Sequence, residues 1–451
     1  MSIASEITRL QGAKNTLKTK LNAKNDAQHQ IDDETLDEYG DFVDSIPTGG
    51  GGGAVEENDV NFYDYDGTLL HSYTKTDFLA LTEMPENPTH TGLVAQGWNW
   101  DLTDAKDYVT DYGILDVGQM YVTDDGKTRI YITLYKGRLS PYCGFAINGT
   151  AIIDWGDNST SDTVTGTSTT TIIPTQHTYA TAGDYVISIS SSDEVHFIGT
   201  ASAGSFVLSN NLSSDYNANK KYQYLVNKIE LGSNVSIDSN AFQSLGNLEY
   251  ISIPDNTKFT GATTNNSFNS CTNLKCIIIP KSNNNSIESP VFNVCYGLSV
   301  ISTSKGTKYT SDYLFQNCYL LKRASFNVNG TQIKQNMFSG CRSLRSITIS
   351  STVTRLKSSS FAACYSLAYI KMLGNINYIE SNTFDSCYSA CVYDFTKNTS
   401  VPTLSSTNAF YSIPSDCKIV VPNSLYDTWI AASNWTTYAS QIVKESDYNA
   451  S

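Results

Sequence analysis

The sequence predicts a mainly β, multidomain chain that ends in a stacked solenoid, and three observations carry that prediction. The first is a recurring phrase, Phe-x2-Cys-x2-Leu. It stands at Phe268, Cys271, Leu274; Phe292, Cys295, Leu298; Phe315, Cys318, Leu321; Phe338, Cys341, Leu344; and Phe361, Cys364, Leu367. A worn copy, Phe384, Cys387 and Ala390, closes the series, and Phe242, Leu245 and Leu248 open it. Successive phenylalanines stand 26, 24, 23, 23, 23 and 23 residues apart, with 26 more to Phe410. A unit this short cannot bury its own apolar face and must stack on its neighbours. The second observation is the alternation that follows each Leu, as in Leu274, Ile277, Ile279 and in Leu344, Ile347, Ile349. Period two puts one face inward and predicts a strand in every repeat. The third is the glycine run Gly49–Gly53, which separates a helical start from everything after it.

Taken in order, residues 1–46 read as a helical oligomerisation or docking anchor. Ile3, Ile7, Leu10, Leu17 and Leu21 follow an a/d heptad seam that Lys14 interrupts. Three heptads are marginal for an isolated helix, so a partner is expected, with an ordinary helical hairpin as the alternative. A second amphipathic helix, capped near Asp33, would carry Leu36, Tyr39, Val43 and Ile46 on one side. Residues 47–54 are a flexible tether. The anchor segment resembles N-terminal pieces of virion appendage proteins in phages of Gram-positive bacteria.

Residues 55–127 read as a β-rich adaptor. Asp64, Asp66, Gly67 and Thr68 reproduce the DxDGT opening of haloacid-dehalogenase-type phosphatases. That chemistry also needs a magnesium ion, a Lys and further carboxylates on a doubly wound sheet, and the pattern that follows is not alternating βα. A tight Asp-Gly turn between strands is the reading adopted. Asp124 and Asp125 are placed in a second hairpin turn, between "GQMYV" and "RIYITL". A helix is expected over Leu102–Gly113, packed with Trp98 and Trp100 on the module's own sheet. The module resembles one recurring in phage appendage proteins as a spacer or adaptor.

Residues 128–197 read as a small β-sandwich of short strands, "TRIYITLY", "FAING", "AIIDWGD", "TTTIIP" and "GDYVISIS". Asp154-Trp155-Gly156-Asp157, His177-Thr178-Tyr179 and Gly183-Asp184-Tyr185 resemble the PKD-type immunoglobulin-like module, with Asn158 in place of its usual second Gly. A spacer is the role implied. Calcium at Asp154 and Asp157, or catalysis by His177, is outweighed by a structured turn and a packed histidine.

Residues 198–443 are assigned to the solenoid and its C-terminal cap, and 444–451 to a loose tail. The repeats resemble the BspA-type leucine-rich repeat, "AFxxCxxLxxIxIPxxVxxI", over roughly residues 225 to 422, which implies a binding or adhesion scaffold. "CKIVVP" would supply the last strand, and "NSLYDTWIAASNWTTYASQI" a terminal helix over the final coil. Phe268, Cys271, Phe292, Cys295, Phe315, Cys318, Phe338, Cys341, Phe361, Cys364, Phe384 and Cys387 are the expected repeat core. The cysteines are read as a ladder of buried free thiols, not as disulfides or a metal site.

Only 16% of residues are charged and the net charge is −14, which argues against nucleic acid or anionic membranes as partners. Five histidines lie in unrelated modules, and GxSxG, HExxH and P-loop motifs are absent from the sequence. No catalytic residue, metal ligand or cofactor is therefore expected. No basic start with a continuous apolar core opens the chain, so export by the usual route is not expected either. The order of parts points to a structural virion protein of a bacteriophage, assembled in the host cytoplasm. It would be a tail or baseplate fibre that trimerises and docks on other tail or baseplate proteins through its N-terminus. A bacterial surface adhesin and a phage head fibre are the alternatives. Tyr296, Tyr319, Tyr365 and Tyr388, with Arg342 in the same file, are the candidate receptor-binding residues, for a host cell-surface glycan or protein. The alternative is that these rings only stack on each other over the turn beside the cysteines.

Overall fold

Each repeat folds into one coil because its residue types satisfy two different backbone demands. After the Leu, alternating β-branched residues make a short strand, and equivalent strands pair in parallel, as in Cys276–Ile278 with Val300–Ser302 and Ser346–Ile349 with Tyr369–Met372. A second file of two-residue strands runs along the other side, for example Arg355–Leu356 beside Tyr378–Ile379. Between them the Phe-x2-Cys phrase forms tight turns. The residue before each Cys, or before Leu245 in the first coil, takes a left-handed conformation: Ser244, Ser270, Val294, Asn317, Gly340, Ala363 and Ser386. That conformation sends its N–H along the axis to a carbonyl of the next coil, as from Asn317 to Ser339 at 2.8 Å and from Ala363 to Asp385 at 2.8 Å. Small or amide side chains suit this backbone, and Val294, β-branched, is the exception.

The computed structural model describes residues 58–210, 216–259, 266–281, 286–287, 291–305, 307–309, 311–324 and 330–449. The helical anchor over 1–46, with Ile3, Ile7, Leu10, Leu17 and Leu21, and the glycine tether lie outside these residues. The described residues belong to one compact unit.

The repeat core is a column of rings and thiols. Phe242, Phe268, Phe292, Phe315, Phe338, Phe361, Phe384 and Phe410 stack with centroids 5.0–5.7 Å apart. Each thiol donates to the carbonyl of the preceding coil's Phe: Cys271 to Phe242, Cys295 to Phe268, Cys318 to Phe292, Cys341 to Phe315, Cys364 to Phe338 and Cys387 to Phe361, at 3.0–3.3 Å. All six are fully buried and free. Desolvation pushes the Cys295 and Cys387 thiols up to about 12 and the other four upward as well. A small side chain with one weak donor fits a position that is apolar except for that carbonyl.

The module before the solenoid is continuous with it. Strands β1 (Val60–Tyr63), β2 (Leu69–Tyr73), β3 (Leu93–Trp98) and β4 (Leu115–Thr123) form one sheet in the order β2-β1-β4-β3. Helices α1 (Lys75–Ala80) and α2 (Leu102–Tyr112) pack on it through Phe78, Ala105, Tyr108 and Val109. Gly113 (φ 87°) ends α2, close to the expected boundary. Strands β5 (Thr128–Leu134), β6 (Tyr142–Asp154), β7 (Asp162–Gln176), β8 (Gly183–Ser191) and β9 (Val195–Phe197) follow. Here β5 runs antiparallel to Val226–Glu230, and β9 runs parallel to Val235–Ile237. Both strand files of the solenoid thus find their first partner in this module. Its core is shared too: Phe197 packs against Phe242 at 5.7 Å, tilted by 40°, and heads the phenylalanine column.

Several expectations change. "FAING" and "AIIDWGD" are one strand, β6, which is long enough to pair with β7 along its length and with β8 and β9 along its other side. Asp124 and Asp125 do not close a hairpin, because β4 and β5 belong to different sheets; both carboxylates bind Arg129, at 2.8 and 2.9 Å. The boundary at 197/198 does not separate two folding units. The terminal helix is only Tyr426–Ala431, followed by a 3-10 turn at Trp435–Tyr438, because both tryptophans must turn inward onto the last coil. "CKIVVP" is not the last strand: Ile442–Lys444 pairs in parallel with Lys418–Val421, and Glu445–Asn449 adds a helical turn where a loose tail was expected.

Candidate functional site

The DxDGT segment is the β1–β2 turn. Gly67 (φ 86°) donates its N–H to the Asp64 carbonyl at 3.0 Å, and Asp66 accepts from the Thr68 N–H at 2.9 Å. Asp64 is buried, accepts the Tyr65 N–H at 2.8 Å and has His90 Nε2 at 2.7 Å. Both carboxylates are committed to local bonds. In the Asp154–Asp157 turn, Trp155 lies buried, with its indole N–H donating to Asp162 at 2.8 Å and its ring stacked on His177 at 4.8 Å. Tyr179 donates to the Trp155 carbonyl at 3.0 Å. Desolvation raises the Asp157 carboxyl, but the hydrogen bonds from Ser159 and His177 together outweigh it and hold the group at about 2. Among the described residues, no group of three His, Cys, Asp or Glu side chains is placed to hold a metal ion, and no helix is long and apolar enough to cross a membrane.

A surface that the sequence did not reveal is where residues 58–123 dock on the solenoid. Tyr63, Tyr65, Leu93, Met120 and Tyr121 pack against the outward-facing Cys276, Ile278 and Val300. Trp98 stays within its own module, but Trp100 donates to the Thr303 carbonyl at 2.7 Å, and Asn99 binds Ile279 and Ser302 at 3.0 and 2.9 Å. Arg323 donates to the carbonyls of Asn58 and Asp59 and pairs with Asp116 at 3.4 Å. The signal was present in "CIIIP": unbroken apolar sequence marks a strand buried on both faces. A cleft at this joint is lined by Met84, Glu86, Trp98, Trp100 and Lys281, but both indole N–H groups are already bonded to backbone carbonyls.

A separate file of the solenoid carries the candidate residues. Tyr296, Tyr319, Arg342, Tyr365 and Tyr388 occupy the position after each Cys. Backbone bonds hold the file in register, such as Ser343 N–H to the Tyr319 carbonyl at 3.0 Å and Ser366 N–H to the Arg342 carbonyl at 3.1 Å. Their side chains form one continuous stack. Tyr296 lies 4.5 Å from Tyr319, Arg342 sits 4.0 Å over Tyr319 and 5.5 Å from Tyr365, and Tyr365 lies 5.3 Å from Tyr388. Tyr296 is 38% exposed and Tyr388 57%, so the stack stands at the surface. Because Tyr319 and Tyr365 have neighbours on both faces, they present ring edges and hydroxyls outward, and a sugar ring cannot stack on them.

The family described as "BspA type Leucine rich repeat region (6 copies)" matches residues 181–266, 214–341, 262–391 and 309–428, together more than half of the 451-residue chain. The chain belongs to the BspA-type leucine-rich repeat family. Among solved structures, this BspA-type chain is similar to a leucine-rich repeat protein from Eubacterium ventriosum, at 20% identity over 40% of each chain with a TM-score of 0.27. It is also similar to a leucine-rich cell surface protein from Faecalibacterium prausnitzii, at 16% identity over 51% of this chain and 83% of that one, TM-score 0.23. The chain spans less than half the length of the Eubacterium protein. No curated protein matches it.

Proposed function

We propose that this BspA-type protein is a structural appendage of a bacteriophage particle, a tail or baseplate fibre, whose solenoid binds a receptor on the host surface. The observation that carries the binding role is the exposed stack from Tyr296 to Tyr388. Rings already held by their neighbours contact a partner with little further loss of side-chain entropy. The hydrogen-bonded coils beneath keep the row straight. The particle assignment is supported by the order of parts in the sequence, with an oligomerising anchor and glycine tether ahead of the repeats. In this reading the anchor forms a trimer and engages other tail or baseplate proteins, and the chain performs no catalysis. An adhesin on a bacterial surface is the second reading, favoured by membership of the BspA-type family.

The test is adsorption to host cells by the purified chain and by Tyr319→Ser/Tyr365→Ser. Loss of adsorption by a variant that keeps its unfolding midpoint supports binding through this face, and unchanged adsorption removes it. Immunogold labelling separates the two readings: label on virion tails supports the fibre, and label on cell walls free of particles supports the adhesin.

A further inference from the structure

The first part of the tyrosine row lies in a basic stretch of an acidic chain. Residues 296–357, which include Tyr296, Tyr319 and Arg342, contain nine Lys and Arg against a single acid, Asp312, while the whole chain carries −14. Some of these cations are already used: Lys305 pairs with Asp104, Arg355 with Glu380, and Arg323 holds the docked module. Lys322, Arg342 and Arg345 are different. They are exposed and have no ion-pair partner among the described residues. They also share one strip. Arg342 stands within the tyrosine stack, and Lys322 and Arg345 occupy the next outward file, three residues further along adjacent coils, joined by the Arg345 N–H to Lys322 carbonyl bond at 3.3 Å.

The chemistry of the strip points one way. Stacked tyrosines present the electropositive rims of their rings and their phenolic O–H donors, while the negative ring faces are turned inward on one another. The Arg342 guanidinium, 4.0 Å from the Tyr319 ring and 5.5 Å from the Tyr365 ring, adds N–H donors and a permanent positive charge to the same line. Donors and positive charge therefore recur along a line, one rung per coil, at spacings of 4.0–5.5 Å. Three unpaired cations in a net-acidic protein also set up a local field that gathers anions.

We infer that this strip binds a linear anionic glycan, one that carries phosphate or carboxylate groups along its length, in an extended conformation parallel to the solenoid axis. The inference rests on the proposed receptor-binding role and supplies its ligand class. It differs from recognition of a neutral sugar stacked on ring faces, which the geometry of Tyr319 and Tyr365 excludes.

The test uses the full-length chain with poly(glycerol phosphate), polygalacturonate, neutral dextran and a double-stranded DNA of matched length as probes. Binding is measured by biolayer interferometry over a range of salt. The expected result is binding of one or both anionic glycans, weakening as salt rises, with no binding of dextran; which of the two binds identifies phosphate or carboxylate as the recognised group. The variant Lys322→Gln/Arg342→Gln/Arg345→Gln loses affinity by about a hundredfold, near fivefold for each cation. Lys397→Gln, an exposed charge elsewhere, leaves it unchanged. Tyr365→Phe, which keeps the ring and removes one hydroxyl, weakens binding without moving the unfolding midpoint. Binding of dextran, equal or tighter binding of the DNA, or full binding by the triple variant overturns the inference. Cells that adsorb the protein while neither anionic polymer binds refute the ligand class and leave the receptor role standing. Polymer binding without adsorption to cells refutes the receptor role and leaves the ligand class.

Discussion

Gly118 and Ile278 offer the sharpest test of the docked module. Gly118 lies in β4, fixed by its N–H bond to the Asn99 side chain at 2.9 Å. A Cβ added there would stand 2.5, 2.6 and 2.7 Å from three side-chain carbons of Ile278, which projects from the outer face of the solenoid. Gly118→Ala should therefore cost about 1–3 kcal/mol by overpacking. Ile278 is 5% exposed. Its truncation to Ala removes three buried carbons, worth roughly 2.4 kcal/mol by transfer, and cavity formation brings the cost to about 2–5 kcal/mol. In the double variant the added methyl enters the vacated space. Its destabilisation should fall short of the summed singles by about 1–3 kcal/mol. Urea unfolding followed by tryptophan fluorescence reads this directly, since Trp98 and Trp100 lie in the docked module. Additivity within about 0.5 kcal/mol would refute the docking.

Three further predictions concern the solenoid itself. Nine of the ten cysteines are buried and only Cys391 is exposed, so a thiol reagent should label one thiol in the native protein and ten after denaturation. The same burial sets an alkaline limit. The buried thiols are raised above the unfolded value of 9.0, with Cys143, Cys295, Cys387 and Cys417 near 12, so their contribution is complete below pH 9. It is lost as pH climbs toward 12, because only the unfolded chain releases the protons; a stability profile flat from pH 9 to 11 would contradict this. Val294→Asn should stabilise by about 1 kcal/mol, since Val294 is the β-branched residue at a left-handed position (φ 63°), and a lower melting temperature would count against the strain argument. Trp435 is buried against Phe410 at 5.6 Å and donates to the Pro402 carbonyl at 2.8 Å. Trp435→Ala should cost about 3–5 kcal/mol, with hydrogen exchange rising first in the C-terminal coils and least around Phe268.

The repeat was legible because every coil restates the same local constraints. Phe338, Cys341 and Leu344 are buried for the reason their counterparts in other coils are, and a fixed period exposes that reason without knowledge of any distant contact. The file from Tyr296 to Tyr388 was visible for the same cause, as one position repeated. That its rings would spend their faces on each other was one of two open alternatives, because spacing along the chain fixes a side chain's file and not its tilt. The cap was legible in kind but not in form. Trp429 and Trp435 announced apolar cover for the last coil, while the helix broke because two indoles six residues apart must both reach the same coil.

The amino-acid order by itself determined a solenoid with an apolar column of Phe, Cys and Leu and a tyrosine row outside, since those features depend on residues within one or two coils of each other. Only the tertiary structure decided that β5 and β9 begin the solenoid's two strand files and that residues 58–123 lie across the outer face of Cys276, Ile278 and Val300. Those contacts join positions from about 40 residues apart, as with Val195 and Val235, to more than 200, as with Asn99 and Ser302. An outward apolar residue in a sequence states that it must be covered, but what covers it is settled by which surface fits when the whole chain has closed on itself.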